Sequence, residues 1–267
     1  MTSEVRTAAN NWAVLRLLVQ RDLAVKYQQS FLGYLWSMLE PLALGIIYWF
    51  VFGVLYGTRV GPDGGSYALF LVTGLFPWLW INSSLSESTG ALTSQARLIT
   101  TMKVRRELFP LGRVMGRFAE YIAGLPVLLL FAVVFHADFS LALVALPLAL
   151  ILQAAFLIGC GLLLAPLNVL LRDVQQAIRI VQRVLFYAAP VLYPLQKLTH
   201  SHAPQWVKDL YQCNPLVGVF QLHHAVFFPA EFPSVTLLGI SALGCFGTLA
   251  LGWWTFSRLE SAVLKEL

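Results

Sequence analysis

The sequence predicts an all-α integral membrane protein. It is expected to have six transmembrane helices per subunit, an N-terminal interfacial amphipathic helix and a re-entrant helical pair before the last span. Three observations carry this. Hydrophobic residues make up 58% of the 267 residues and charged residues 12%. A soluble domain carries roughly 25% charged residues, so too little charge is present to cover a water-facing surface. Mean hydropathy is +0.72, and six stretches approach the roughly 20 predominantly apolar residues of a spanning helix. Fifteen of the 18 lysines and arginines fall in alternate connections, the positive-inside pattern.

Residues 1–34 read as a cytoplasmic N-terminus. In NNWAVLRLLVQRDLAVKYQQ, Trp12, Leu15, Val19 and Leu23 recur at helical spacing, with Arg16, Gln20 and Tyr27 on another side. That pattern suits a helix lying along the membrane surface; an ordinary juxtamembrane anchor shares it. The six-span domain covers 35–256, with spans at about 35–56, 67–87, 117–135, 141–166, 177–195 and 235–256, followed by a cytoplasmic tail at 257–267. No signal-peptide pattern precedes the first span, which is expected to act as an uncleaved anchor. The fourth span belongs to a charge-free run from Phe139 to Leu171. It is expected as a long or tilted helix, with Pro166 marking a kink or an end. The fifth carries Arg179 and Arg183 in its first half. The cation-rich connections include Arg6–Lys26, Arg97–Arg117, Arg172–Arg183 and the tail, against Arg59, Lys197 and Lys208 on the other side. Both termini are therefore expected in the cytoplasm.

Two connections are unusual. The loop 88–116 contains TSQARLITTMKVRRELFPLGR, in which Leu98, Met102 and Arg105 fall on one helical side, flanked by Lys103 and Arg106. It reads either as a short helix docking a cytoplasmic partner or as a plain basic loop. The exterior segment 196–234 contains NPLVGVFQLHHAVFFP, an apolar run of re-entrant length punctuated by Pro204, Pro215, Pro229 and Pro233. Irregular backbone at membrane depth needs protein or a water-lined cavity around it, so two short helices at a mouth or gate are expected.

Glu40, Glu87 and Glu120 lie near the predicted interfaces, where pairing with a nearby arginine is expected before any catalytic role. Arg172, Gln176, Arg179 and Arg183 are spaced i, i+4, i+7, i+11 and form one helical stripe. Such a guanidinium row suits an anionic head group such as a diphosphate; membrane anchoring plus a pair with Asp173 is the plainer reading. The spans are rich in aromatics, among them Trp49, Phe52, Trp80, Phe186, Tyr187 and Tyr193, which serve either as platforms for sugar rings or as interfacial belts. Position favours belts for Trp36, Trp78, Trp253 and Trp254. Cys160, Cys213 and Cys245 give no disulfide framework. No phosphate loop, zinc motif or nucleophile elbow occurs. A metal role for His200 and His202 or for the His223–His224 pair is less expected than a solvated exterior one. A membrane transferase acting on polyprenyl-linked glycans needs convergent acid, base or metal-binding groups, and the three glutamates are scattered.

RDLAVKYQQSFLGYLWSMLEPL (Arg21–Leu42) resembles the leading segment of type-2 ABC exporter permeases of the polysaccharide and polyol-phosphate export branch. LNVLLRDVQQAIRIVQRVLFYAAPVLYP (Leu167–Pro194) and NPLVGVFQLHHAVF (Asn214–Phe227) resemble two later stretches of the same family, in the same order. The resemblance implies a permease subunit in the bacterial plasma membrane that exports a polyprenyl-diphosphate-linked polysaccharide of the O-antigen, teichoic acid or galactan type. It implies pairing with a second copy and with two ATPase subunits. ATP and Mg²⁺ are then used by the partner, this chain carries no cofactor, and membrane lipids but no nucleic acid are engaged. ATPase docking falls to the segment with Leu98, Thr101, Met102, Lys103, Arg105 and Arg106. The entrance or head-group candidates are Arg21, Lys26, Glu40, Arg172, Arg179 and Arg183. The glycan-path candidates are Trp49, Phe52, Trp80, Phe186, Tyr187 and Tyr193, and the exterior gate candidates are Asn214, Pro215, His223 and His224. In this reading Glu40 and Pro41 belong to a helix bordering the transport path, with Glu40 paired to Arg21, Lys26 or an arginine of the stripe. A small-lipid or drug efflux permease is the runner-up within transport.

Overall fold

The computed structural model describes residues 2–28, 30–55, 57, 62, 66–101, 104–137, 141–199 and 202–267, with side chains from residue 11 onward except at 34, 52, 141 and 142. Eleven α-helices are described: α1 (Thr2–Tyr27), α2 (Trp36–Tyr48), α3 (Tyr67–Thr89), α4 (Ala96–Thr101), α5 (Leu108–Val134), α6 (Leu146–Leu170), α7 (Val174–Tyr187), α8 (Leu195–Thr199), α9 (Gln205–Gln212), α10 (Pro215–Ala225) and α11 (Val235–Glu266). Among the described residues, five stretches are long and apolar enough to cross a membrane: α2 with its continuation to Leu55, α3, α5, α6 with the turn before it, and α11.

Local chemistry sets the boundaries. In α2, Pro41 lacks an N–H and interrupts the i→i−4 ladder one turn in, and beyond Tyr48 the chain widens into a π turn over Trp49–Leu55. α5 starts nine residues before the predicted 117, because Pro110 sits in its first turn, where N–H groups have no intrahelical partner to lose. α6 runs through Pro166 and stops at Leu170; Pro166 does not end the helix. α7 is 14 residues long and stops at Tyr187. The predicted span 177–195 is therefore not one continuous helix. Pro190 disfavours helical backbone at Ala189, and the chain passes through turns before α8. α10 begins with Asn214, whose side chain accepts from the Leu216 N–H at 3.0 Å, and with Pro215 in its first turn. α11 begins at Ser234, whose hydroxyl accepts from the Leu237 N–H at 3.3 Å, and continues to Glu266. The predicted tail is thus the last turns of a 32-residue helix.

α3 is the axis of the bundle, buried from Tyr67 through Trp78 and packed by α2, α5, α6, α7 and α10. α6 and α11 make the closest crossing. A Cβ on Gly252 would stand 2.1 Å from the Gly159 carbonyl oxygen, so no side chain fits at either position. The main core fills the middle of the bundle. A second cluster, with Leu18, Leu92, Ile99, Phe109, Leu162 and Phe256, gathers α1, the ends of α3, α6 and α11, α4 and the start of α5. This is the basic end of the molecule. Arg106 is ion-paired there with Glu260 of α11.

α1 forms a helix whose buried stripe is shifted from the predicted one, with Leu17 and Val25 exposed on its other side. Leu15, Leu18 and Leu23 are buried while Trp12 is exposed. The helix packs on α5, where Gly112 lies under Leu15 and Leu18, and Asp22 pairs with Arg113 at 3.3 Å.

Candidate functional site

A cleft of about 580 Å³ opens between α2, α3 and α7. α7 is fixed to α3 by Gln182, which donates to the Asn82 carbonyl at 2.7 Å and to the Ser86 hydroxyl at 2.9 Å. With Gln182 turned inward, Arg179 one turn before it and Arg183 next to it line the cleft together with Glu40 of α2. The rest of the wall is aromatic. Phe186 packs against Trp78 at 5.1 Å, Tyr187 at 5.2 Å and Tyr48 at 6.4 Å between ring centroids. A site with guanidinium groups at one level and ring faces at another offers bidentate donors to a phosphate and flat apolar surface to a sugar or isoprenoid.

The head-group candidates therefore separate. Arg179, Arg183 and Glu40 share this cleft, while Arg172 is exposed and does not line it. Arg21 and Lys26 are elsewhere, and neither pairs with Glu40: Arg21 meets Asp22 at 3.0 Å and Lys26 meets Glu120 at 2.9 Å. Glu40 makes no ion pair among the described residues. Of the three expected partners, Arg21 and Lys26 are taken by other carboxylates because α1 lies along α5, while the stripe arginines Arg179 and Arg183 share the cleft with Glu40 without an ion pair among the described residues.

The aromatic candidates separate too. Phe186 and Tyr187 line the cleft. Trp80 is 3% exposed, donating its indole N–H to the Val114 carbonyl at 3.2 Å and packing on Phe118 and Tyr121, so it is a core residue. Trp78, expected in a belt, is instead part of the cleft wall. Trp36, Trp253 and Trp254 are exposed, as belt residues are, with Arg258 over the Trp254 ring at 5.7 Å. Trp49 is also exposed and does not line the cleft. The Phe52 side chain lies outside the described residues. Tyr193 donates its hydroxyl to the Tyr187 carbonyl, closing the turn after α7.

Two side chains not singled out in the sequence, Arg117 and Gln153, bind the helices together, and Arg117 is the arginine partner expected of Glu87 and Glu120. Arg117, 4% exposed, lies between Glu87 of α3 at 3.0 Å and Glu120 of α5. Glu120 also accepts from Lys26 and, at 2.7 Å, from the Tyr27 hydroxyl, so one buried guanidinium joins α1, α3 and α5. Gln153, in the apolar middle of α6, donates to the Pro77 carbonyl at 2.9 Å and accepts from His223 at 2.8 Å. An amide within a long apolar run was the available signal, since such a group must find a partner.

The segment expected as two short exterior helices holds three, and α10 is buried along nearly its whole length against α3, α6 and α11. His223 and His224 are not solvated. His224 Nε2 lies 2.9 Å from the Pro190 carbonyl, which can only accept, so Nε2 carries the proton and Nδ1 accepts from Thr73 at 3.0 Å. The ring stacks on Phe70 at 4.0 Å. Asn214 donates to the Ala188 carbonyl at 2.8 Å. Both contacts lock the turns after α7 to α10. His224→Leu removes two hydrogen bonds and leaves a buried carbonyl unpaired. It is expected to cost about 2 kcal/mol, read as a lower thermal midpoint of the purified protein.

At the docking candidate, α4 is only six residues long, with Leu98 part-buried and Thr101 exposed. Arg105 lies beyond α4 and pairs with Glu107, so it does not share a helical side with Leu98. Met102 and Lys103 lie outside the described residues.

A many-helix apolar bundle with a charged and aromatic cleft on one side of its central helix has the make-up of a membrane permease. Comparison with known proteins gives the family. The profile of the ABC-2 type transporter family matches residues 13–228, and the chain belongs to that family. It is 33% identical to the O-antigen export system permease protein RfbA of Klebsiella pneumoniae over 207 residues, 77% of this chain and 76% of the relative. It is 27% identical to the Myxococcus xanthus protein of the same name over 245 residues, covering 91% and 90%. It is 25% identical to the polysialic acid transport protein KpsM of Escherichia coli over 251 residues, covering 93% and 94%.

Proposed function

We propose that this chain is the transmembrane permease subunit of an ABC exporter that moves a lipid-linked polysaccharide from the cytoplasmic side across the bacterial plasma membrane. The carrying observation is the α2–α3–α7 cleft, where Arg179 and Arg183 stand beside a wall of aromatic rings. Guanidinium groups suit the diphosphate of a polyprenyl-linked glycan and the rings suit its sugars. The similarity to an O-antigen export permease and a polysialic acid transport protein supports a polysaccharide cargo. Energy comes from two ATPase subunits that use ATP and Mg²⁺, docked on the segment around α4 and on α1, and two copies of this chain form the membrane unit. The basic end faces the cytoplasm together with both termini, in accord with the positive-inside rule. α8–α10 form the exterior gate.

Tagged chain extracted in mild detergent is expected to bring down a nucleotide-binding ATPase in stoichiometric amount, identified by mass spectrometry. Recovery of the chain alone, in a detergent that preserves a related exporter, refutes the reading. Within the complex, the double variant Arg179→Ala/Arg183→Ala is expected to lower glycan export at least about tenfold, each lost charge-assisted bond accounting for about 1.5–3 kcal/mol. Assembly with the ATPase is expected to be unchanged. Glu40→Gln is expected to alter export without altering assembly; wild-type export in this variant removes Glu40 from the path.

A further inference from the structure

A second and larger cleft, about 790 Å³, lies at the basic end between α1, the end of α3, α4 and the first turns of α5. Five cationic side chains line it (Arg21, Lys26, Arg97, Arg113 and Arg117) against two carboxylates, Asp22 and Glu87. Both carboxylates are already engaged. Asp22 meets Arg21 at 3.0 Å and Arg113 at 3.3 Å, and Glu87 meets Arg117 at 3.0 Å. Arg97 makes no ion pair among the described residues. A concave site with this excess of positive charge, and with one guanidinium 4% exposed and fixed between packed helices, concentrates anions.

The cleft is connected. Lys26 and Arg117 also wall a cavity of about 90 Å³ whose opposite side is Glu40 and Leu79. Glu40 and Leu79 in turn wall the α2–α3–α7 cleft. Three spaces thus stand in a row with two partitions between them. In the first partition Arg117 is locked by Glu87 and Glu120, whereas the Lys26 side chain is 42% exposed and held by Glu120. A flexible ammonium stem is the part of that wall able to swing.

Resting on the reading above, we infer that the cleft beneath α1 is a waiting site for the phosphate-bearing head group of the cargo, separate from the transport cleft. Lys26 is the movable partition between them, and the passage runs past Glu40. A phosphate that draws Lys26 off Glu120 opens the way into the middle cavity, and the unpaired carboxylate of Glu40 opposes further travel until Arg179 and Arg183 take up the charge.

The test uses the permease–ATPase complex in nanodiscs of zwitterionic lipid, with the nucleotide sites saturated by ADP, and titrates inorganic diphosphate by calorimetry. Saturable binding is expected, weakened about tenfold or more by Arg97→Ala and by Lys26→Met and unchanged by Arg258→Ala. Arg97 is exposed on α4 and Lys26 is half exposed, so both variants are expected to stay monodisperse, which the same samples check by size exclusion. Absence of binding overturns the inference. So does loss of binding in Arg183→Ala with Arg97→Ala unaffected, a result that moves the head group to the transport cleft and leaves the proposed function standing. Displacement of diphosphate by phosphatidylglycerol in the nanodisc also overturns it, since the site then holds a resident lipid. Failure of the proposed function itself is read separately, as recovery of the chain without an ATPase.

Discussion

Gly252→Leu is expected to abolish recoverable folded protein. At the α6–α11 crossing, a Cβ on Gly252 meets the Gly159 carbonyl oxygen at 2.1 Å and its carbonyl carbon at 2.8 Å, and a Cβ on Gly159 meets the Leu249 nitrogen at 2.5 Å. The obstacles are backbone atoms, which have no rotamer to change. Relief requires the helices to separate by about 1 Å to regain ordinary contact distance, along the most extensive helix pair in the molecule. Overpacking of a core typically costs about 1–3 kcal/mol. Gly252→Ala is expected at the top of that range and leucine beyond it. Fluorescence-detected size exclusion should show aggregate for the leucine variant and a lowered melting point for the alanine variant. The control is Gly247→Ala on the same helix, where an added Cβ has open space; it should be neutral or stabilising by about 0.5–1 kcal/mol.

Arg117→Met is expected to release α1 and to destroy activity. The side chain is 4% exposed and is the shared partner of Glu87 and Glu120. Its removal takes the ion pair from Glu87 and leaves Glu120 without the group that orients it toward Lys26 and Tyr27; breaking a buried pair from one side costs about 3–5 kcal/mol, and less here because Glu87 is 32% exposed. Arg117→Lys should rescue only in part, because one ammonium cannot present the planar fork that meets both carboxylates. Arg117→Met combined with Glu87→Gln and Glu120→Gln should recover stability better than the single variant. Limited proteolysis of α1 is the readout. Cleavage within α1 at wild-type rates in Arg117→Met would show that the cluster does not hold the helix.

The membrane class and most of the spans were legible because hydropathy and loop charge act over whole segments, where single errors average out. α3 and α11 begin within a residue of where the apolar runs begin. What escaped depended on pairs distant in sequence. Lys26 and Glu120 are 94 residues apart, and no local pattern ranks Glu120 above Glu40 as its partner. His223 and His224 read as solvated because an exterior segment rich in proline looks like a loop. The buried acceptors that accommodate them, Gln153 and the Pro190 carbonyl, are invisible until α10 is folded against α6. The fifth span failed on Pro190, whose effect on Ala189 was available in the sequence but was outweighed by the apolar count. Among the aromatics, Trp78 and Trp80 differ by two positions on one helix and so face different neighbours: one looks into the cleft at Phe186, the other toward Val114.

α11 spans about 48 Å at 1.5 Å per residue, and its closest crossing with α6, at Gly252, falls near its midpoint. One end meets α10 where the Gly218 N–H donates to Ser241 at 3.2 Å, and the other is tied through Glu260 to Arg106 beside α4. The two ties, at Ser241 and Glu260, lie about 29 Å apart at 1.5 Å per residue, and between them α11 packs on α6 with no room for a side chain at Gly252. The α10 and α4 ends of the molecule are therefore spaced by one rigid helix pair, and the glycine contact that lets the helices touch removes the slack between them.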